Sequence, residues 1–153
     1  MTSEDVDTFR TMFMFSPPDH QPAGWSLTFE GFADALRARE ADAPTEQWRG
    51  VFAGETLSFV CTTAGGGEAE GMASVEPNGV SIDGCTCTEA AEFAHWLQTA
   101  VLPRDAPMQV NMTEGVEWEL PPIELPRSQE EALRDLLVSR LREILDHEEE
   151  HLG

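Results

Sequence analysis

Hydrophobic and polar positions alternate early in the chain, in DTFRTMFMF. Phe9, Thr11, Phe13 and Phe15 take one parity, and Arg10, Met12 and Met14 take the other. Both parities turn apolar toward the end, which predicts a strand covered at least partly on both faces. Prolines in SPPDHQPAGW then interrupt regular structure three times and predict a loop. The period becomes helical in TFEGFADALRARE, where Phe29, Phe32, Ala33 and Leu36 follow Thr28 as N-cap.

The stretch from Glu46 to Asp83 reads as short strands, with turn signals at AGE, AGGGE and PNG and a run of Leu57, Phe59 and Cys61 between them. An antiparallel meander is expected. In CTCTEAAEFAHWLQTAVLP, Thr86 and Glu89 have capping-box spacing, and Ala90, Phe93, Ala94, Leu97 and Val101 stripe one helical face before Pro103. PMQVNMTEGVEWELPP then suggests a hairpin about a tight EG turn: Val116, Trp118 and Leu120 would face the core, and Glu117 and Glu119 the solvent. Finally Ser128 and Glu131 form a second capping-box pattern ahead of Leu133, Leu136, Leu137, Leu141, Ile144 and Leu145. Strands grouped around single helices, with no repeat and no linker, predict one α+β domain over residues 1–153. It should be a two-layer sandwich of about six to seven mostly antiparallel strands with three helices.

Composition changes the picture chiefly through charge. The 153 residues include 29 acids against 9 bases, a formal net charge of -20, and every base is arginine. From Gly50 to Pro103 there is neither arginine nor lysine, while glutamates accumulate. A field of one sign on that scale repels nucleic acid and anionic membrane and steers in cationic partners. The acidic opening MTSEDVDTFR lacks the basic start and apolar run of a secretory signal, and no apolar stretch approaches a membrane span, so a cytoplasmic location is expected. Three cysteines fit free thiols in a reducing compartment.

Candidate chemistry is sparse. HEEEH, from His147 to His151, matches the zinc-protease pattern, in which two histidines one turn apart bind metal and the glutamate acts as base. Its surroundings argue against that role. Only Leu152 and Gly153 follow to supply a third ligand, and Asp146, Glu148, Glu149 and Glu150 charge every face of a helix end where negative charge is disfavoured. The match is read as chance, and the turn from about 146 to 153 is expected to fray. Cys85, Cys87 and Cys61 lack the paired spacing of a structural zinc site, although Cys87 at a helix N-terminus has the position of a modestly activated thiol. Glu117 and Glu119, roughly 7 Å apart on a strand, read as a solvated face more readily than as a glycosidase pair. No catalytic residue, cofactor or metal is expected.

The acid itself remains. Glu68, Glu70, Glu117 and Glu119 are the candidate partner-binding residues, expected to share the side of the sheet away from the helices or its edge, with Trp48 or Trp118 as anchors or, more simply, core residues. The segments SVEPNGVSID, TEAAEFAHWLQTAVLP and VNMTEGVEWELP together resemble small acidic proteins of high-GC actinobacteria. In size and charge the chain also resembles the immunity proteins of bacterial polymorphic-toxin systems. That resemblance implies a cytoplasmic, non-enzymatic inhibitor that occludes a basic protein toxin, such as a nuclease. Two alternatives stand beside it: an acidic DNA mimic that blocks a nucleic-acid-binding protein, and a small enzyme or ligand-binding domain with a pocket between sheet and helices.

Overall fold

The computed structural model describes residues 3–21, 24–50 and 54–152. One seven-stranded sheet, antiparallel at every pairing, carries a layer of helices on one face. The chain runs α1 (Ser3–Thr8), β1 (Thr11–Ser16), α2 (Phe29–Arg39), β2 (Thr45–Gly50), β3 (Gly54–Thr62), β4 (Glu68–Val75), β5 (Asn78–Cys85), α3 (Cys87–Trp96), β6 (Gln109–Met112), α4 (Thr113–Glu117), β7 (Ile123–Glu124) and α5 (Glu130–Leu152). A π-helical turn, Leu97–Val101, extends α3. Strand order is β2-β3-β4-β5-β1-β6-β7. The expected α+β sandwich is therefore present, with α1 and α4 as short helices beyond the three long ones.

Local chemistry explains the long helices. The Thr28 side chain accepts from Gly31 N–H at 3.0 Å and starts α2. Thr86 and Glu89 complete the capping box of α3 in both directions. Glu89 is only 8% exposed, and Arg10 donates to it at 2.8 Å. Burial alone would raise its pKa, but the Thr86 N–H and the Arg10 charge outweigh burial and hold it below the ordinary carboxylate range. In α5 the buried side chains are Leu133, Leu137, Leu141, Ile144 and Leu145. Leu136, expected in the stripe, lies about a quarter-turn off it and is 36% exposed.

The core lies between sheet and helices. Phe13 and Phe15 of β1, Phe59 of β3 and Val80 and Ile82 of β5 are buried with Phe32 of α2 and Phe93 of α3. Phe59 is the hub, with ring centroids 4.9 Å from Phe32 and 6.1 Å from Phe93. Gly71 on β4 pairs with Phe59 across the ladder, and its missing side chain is what admits the ring: a Cβ there would sit 2.2 Å from Phe59 Cζ. Behind the PNG turn, Asn78 Oδ1 accepts from Leu27 N–H at 3.1 Å and ties the proline-rich loop to the meander. No described helix is long and apolar enough to cross a membrane.

Candidate partner-binding face

The four glutamates do not converge. Glu68 and Glu70 are exposed on β4, on the sheet face opposite the helices. VEWEL, however, is not a strand. Thr113–Glu117 form α4, Trp118 N–H donates to Glu114 O at 3.1 Å, Leu120 N–H donates to Gly115 O at 2.8 Å, and Glu119 is left-handed with φ 57. Asn111 is the physical reason. Its Nδ2 donates to Leu120 O at 3.1 Å and its Oδ1 accepts from Met112 N–H at 2.9 Å, so the chain curls back on that side chain. A Cβ on Gly115 would lie 2.1 Å from Asn111 Oδ1, so only glycine fits the curl. Ile123–Glu124 then takes the ladder position beside β6.

The consequence for the site is a correction. Glu117 faces a hollow among α1, α4 and α5 with Asp5, Glu114 and Glu148, in the helical layer. Glu117 and Glu119 therefore share no sheet face with Glu68 and Glu70. Val116, expected in the core, is 53% exposed. Trp118 is half-buried beside α5, 5.4 Å from the His147 ring and 5.5 Å from that of His151. The side chain of Trp48, the other expected anchor, lies outside the described residues.

HEEEH lies within α5, which stays helical through Leu152. His147 and His151 do share one face, as the spacing requires, but their rings stack on each other at 4.0 Å and pack against Trp118. Among the described residues no group of three or more His, Cys, Asp or Glu is placed to hold a metal ion. The thiols are equally quiet. Cys61, Cys85 and Cys87 are buried and free. Burial pushes Cys61 up to about 11 and Cys85 and Cys87 each up to about 12. At Cys87 the Asp7 charge adds to desolvation and Arg134 opposes it, which agrees with a small buried residue at a strand-to-helix junction more than with an activated thiol.

Arg39 is used internally. It reaches Glu92 at 2.8 Å and Thr62 O at 3.0 Å, and its guanidinium lies 5.2 Å from the Trp96 ring centre. This is a strut joining α2, β3 and α3.

The uncovered sheet face is different in kind. Register aligns one row of side chains across six strands: Glu46, Ser58, Met72, Ser81, Met14 and Asn111. The long helices α2 and α3 meet the sheet through Phe59 and Phe15 on the other side, and the α4 curl touches this row at its Asn111 end. Met12 and Met14 are half-buried, so β1 is covered fully on one face and partly on the other, as its sequence predicts. A hollow of about 580 Å³ opens here, floored by Met12, Val60 and Met72 and rimmed by Glu46, Glu70 and Asp83. Met72 is 47% exposed, one of four large apolar side chains so exposed among the described residues. Sequence reading found Glu68 and Glu70 and missed Met12, Met72, Val60, Glu46 and Asp83. The parity of β1 and β4 hinted at the methionines, but joining them required the register. In comparison with known proteins the chain matches no family model, no curated protein and no solved structure, so its function must be read from these residues.

Proposed function

We propose that the protein is a non-enzymatic acidic binding protein, an immunity-type inhibitor that occludes a basic protein partner through the uncovered sheet face. One observation carries this reading: a half-exposed Met72 in an apolar floor, ringed by Glu46, Glu70 and Asp83 on a face without a covering layer. Exposed apolar surface rimmed by polar groups marks interaction sites. The sign of the rim selects the partner. Apart from β2, no strand contains an arginine or lysine, so nothing on β1 or β3–β7 neutralises the rim. Carboxylates of one sign raise the encounter rate with a cationic surface, and the methionine floor then resists dissociation.

The test separates those two roles. A basic protein that binds the immobilised wild-type chain, and whose toxicity the chain relieves on co-expression, is measured against two variants. Glu46→Arg with Glu70→Arg should slow association about tenfold or more, as raised salt should for the unmodified chain. Met72→Ala should mainly speed dissociation, because removing a central apolar anchor acts on the bound state. An association rate indifferent to both salt and charge reversal would reduce the acidity to solubility and sink the reading.

A further inference from the structure

The two sheet edges are treated differently. β7 is a two-residue strand closed in by Pro121, Pro122 and Pro126, which donate no N–H. β2 is six residues long, contains no proline, and pairs with β3 in unbroken register from Thr45↔Phe59 to Gly50↔Gly54. Proteins ordinarily blunt such an edge with a proline, a bulge or a very short strand, because its unpaired backbone groups invite another strand. Here Pro44 stands at the entrance and Glu46 and Arg49 are the charged residues along the strand, with no proline within it.

The register also says which groups are unpaired. Val60 N–H donates to Pro44 O at 3.1 Å, so residues 44 and 60 form a hydrogen-bonded pair. Alternation then turns Glu46 N–H and C=O toward β3, and those of Thr45 and Gln47 outward, away from the sheet. Side chains alternate as well. Glu46 lies on the uncovered face in the row with Ser58 and Met72, so Thr45 and Gln47 project to the opposite face. Pro44, Thr45 and Glu46 are at once the start of this edge and one wall of the acidic hollow.

Resting on the docking face above, we propose that β2 accepts an extended basic strand from the partner as an eighth strand of the sheet. In this arrangement main-chain bonds to Thr45 and Gln47 hold the strand, and its alternate residues, arginine or lysine, stand beside Glu46 over the hollow toward Glu70 and Met72. Strand addition of this kind takes affinity from the backbone and specificity from alternate side chains. A second copy of the chain is the disfavoured occupant. Edge-to-edge pairing would join two bodies of formal charge -20 and bring their acidic rims within a strand spacing, about 4.8 Å, of each other's ladder. A cationic strand relieves that repulsion.

The probe is an octapeptide of alternating arginine and threonine, blocked at both ends, so that its arginines share one face and its threonine N–H groups meet β2. On saturation, hydrogen exchange at the Thr45 and Gln47 amides should slow at least tenfold, while the Glu46 amide, already paired to β3, should change little. A peptide with proline at each threonine keeps every charge but loses those donors, and should bind at least tenfold more weakly. Gln47→Pro removes the outward donor without touching a main-chain bond to β3, dropping only the exposed side-chain bond from Gln47 Nε2 to Glu55 at 3.2 Å, and should weaken the threonine peptide similarly. Unchanged exchange at the β3 and β4 amides confirms that the variant is folded. If both peptides bind alike and the Thr45 and Gln47 amides stay unprotected, or if the threonine peptide does not bind at low salt, strand addition is wrong. The docking face still stands in that case if Glu46→Arg with Glu70→Arg weakens binding of a basic protein partner, and it falls if that change does nothing.

Discussion

Gly71→Ala tests how tightly the uncovered sheet face is tied to the core beneath it. The added methyl would lie 2.2, 2.6 and 2.7 Å from three carbons of the Phe59 ring. Carbon atoms rest at about 3.5–4.0 Å, so the ring or the strand must give by more than roughly 1 Å. The ring has nowhere to go. It is 3% exposed, with Phe32 at 4.9 Å on one side and Phe93 stacked at 6.1 Å on another. Overpacking of this kind costs about 1–3 kcal/mol, and alanine's conformational advantage over glycine in a strand returns roughly 0.5–1. A net loss near 1–2 kcal/mol should lower Tm by roughly 3–8 °C in a chain of this length. Urea and thermal unfolding followed by circular dichroism measure it. The decisive comparison repeats Gly71→Ala in a Phe59→Leu background, where the ring is gone and the methyl finds room. There the cost should shrink by about 1 kcal/mol or more, a coupling expected only of residues in direct contact. If Gly71→Ala costs less than about 0.5 kcal/mol in both backgrounds, the ring does not sit against the glycine and the packing argument is wrong.

Three further outcomes concern the buried thiols and the histidine pair on α5. Each thiol pKa is raised by folding, so stability should be intact below about pH 9 and then fall as pH climbs toward about 11 for Cys61 and about 12 for Cys85 and Cys87, by roughly 1.4 kcal/mol per pH unit for each thiol. Urea midpoints between pH 7 and 10 should bend downward above pH 9, and less so in Cys61→Ala; a flat profile in both would contradict the burial. His147→Ala with His151→Ala should leave Trp118 more solvated, seen as red-shifted emission, and cost about 0.5–1.5 kcal/mol through the lost ring contacts. A chelator should leave Tm unchanged, and one equivalent of tightly held zinc lost with those histidines would restore the metal reading.

The elements legible in the sequence are those whose determinants are local. Thr28 and the Thr86–Glu89 pair announce α2 and α3 because an N-cap is chemistry within four residues, and the β3–β4–β5 meander reads directly because its turns join strands adjacent in the chain. VEWEL misled because five alternating residues fit either a strand or a curled turn. Asn111, nine residues before Leu120, decides it by capturing the Leu120 carbonyl. For the site, strand parity suffices for Glu68 and Glu70. Glu46, Met72 and Met14 belong to segments far apart in sequence, and only a register running through β1, inserted between β5 and β6, brings them into one row.

Where the cations lie bears on whether the acid is directed. The described ion pairs belong to the helices and their approaches: Arg10 with Glu89, Arg37 with Asp34, Arg39 with Glu40 and Glu92, Arg134 with Asp135 and Arg140 with Glu143. Acidity that served solubility alone would need no such segregation, since carboxylates on any surface keep a protein dispersed. Instead arginines partly neutralise the helical layer, while β1 and β3–β7 carry none, and the carboxylates of Glu68, Glu70 and Asp83 stand on those strands. Such an arrangement leaves Glu46, Glu70 and Asp83 around the half-exposed Met72, with no basic residue among the described residues that line that hollow. If the proposed cationic partner exists, carboxylates of one sign beside an apolar floor would steer its approach to this face, which is what the salt dependence and the Glu46→Arg with Glu70→Arg change measure.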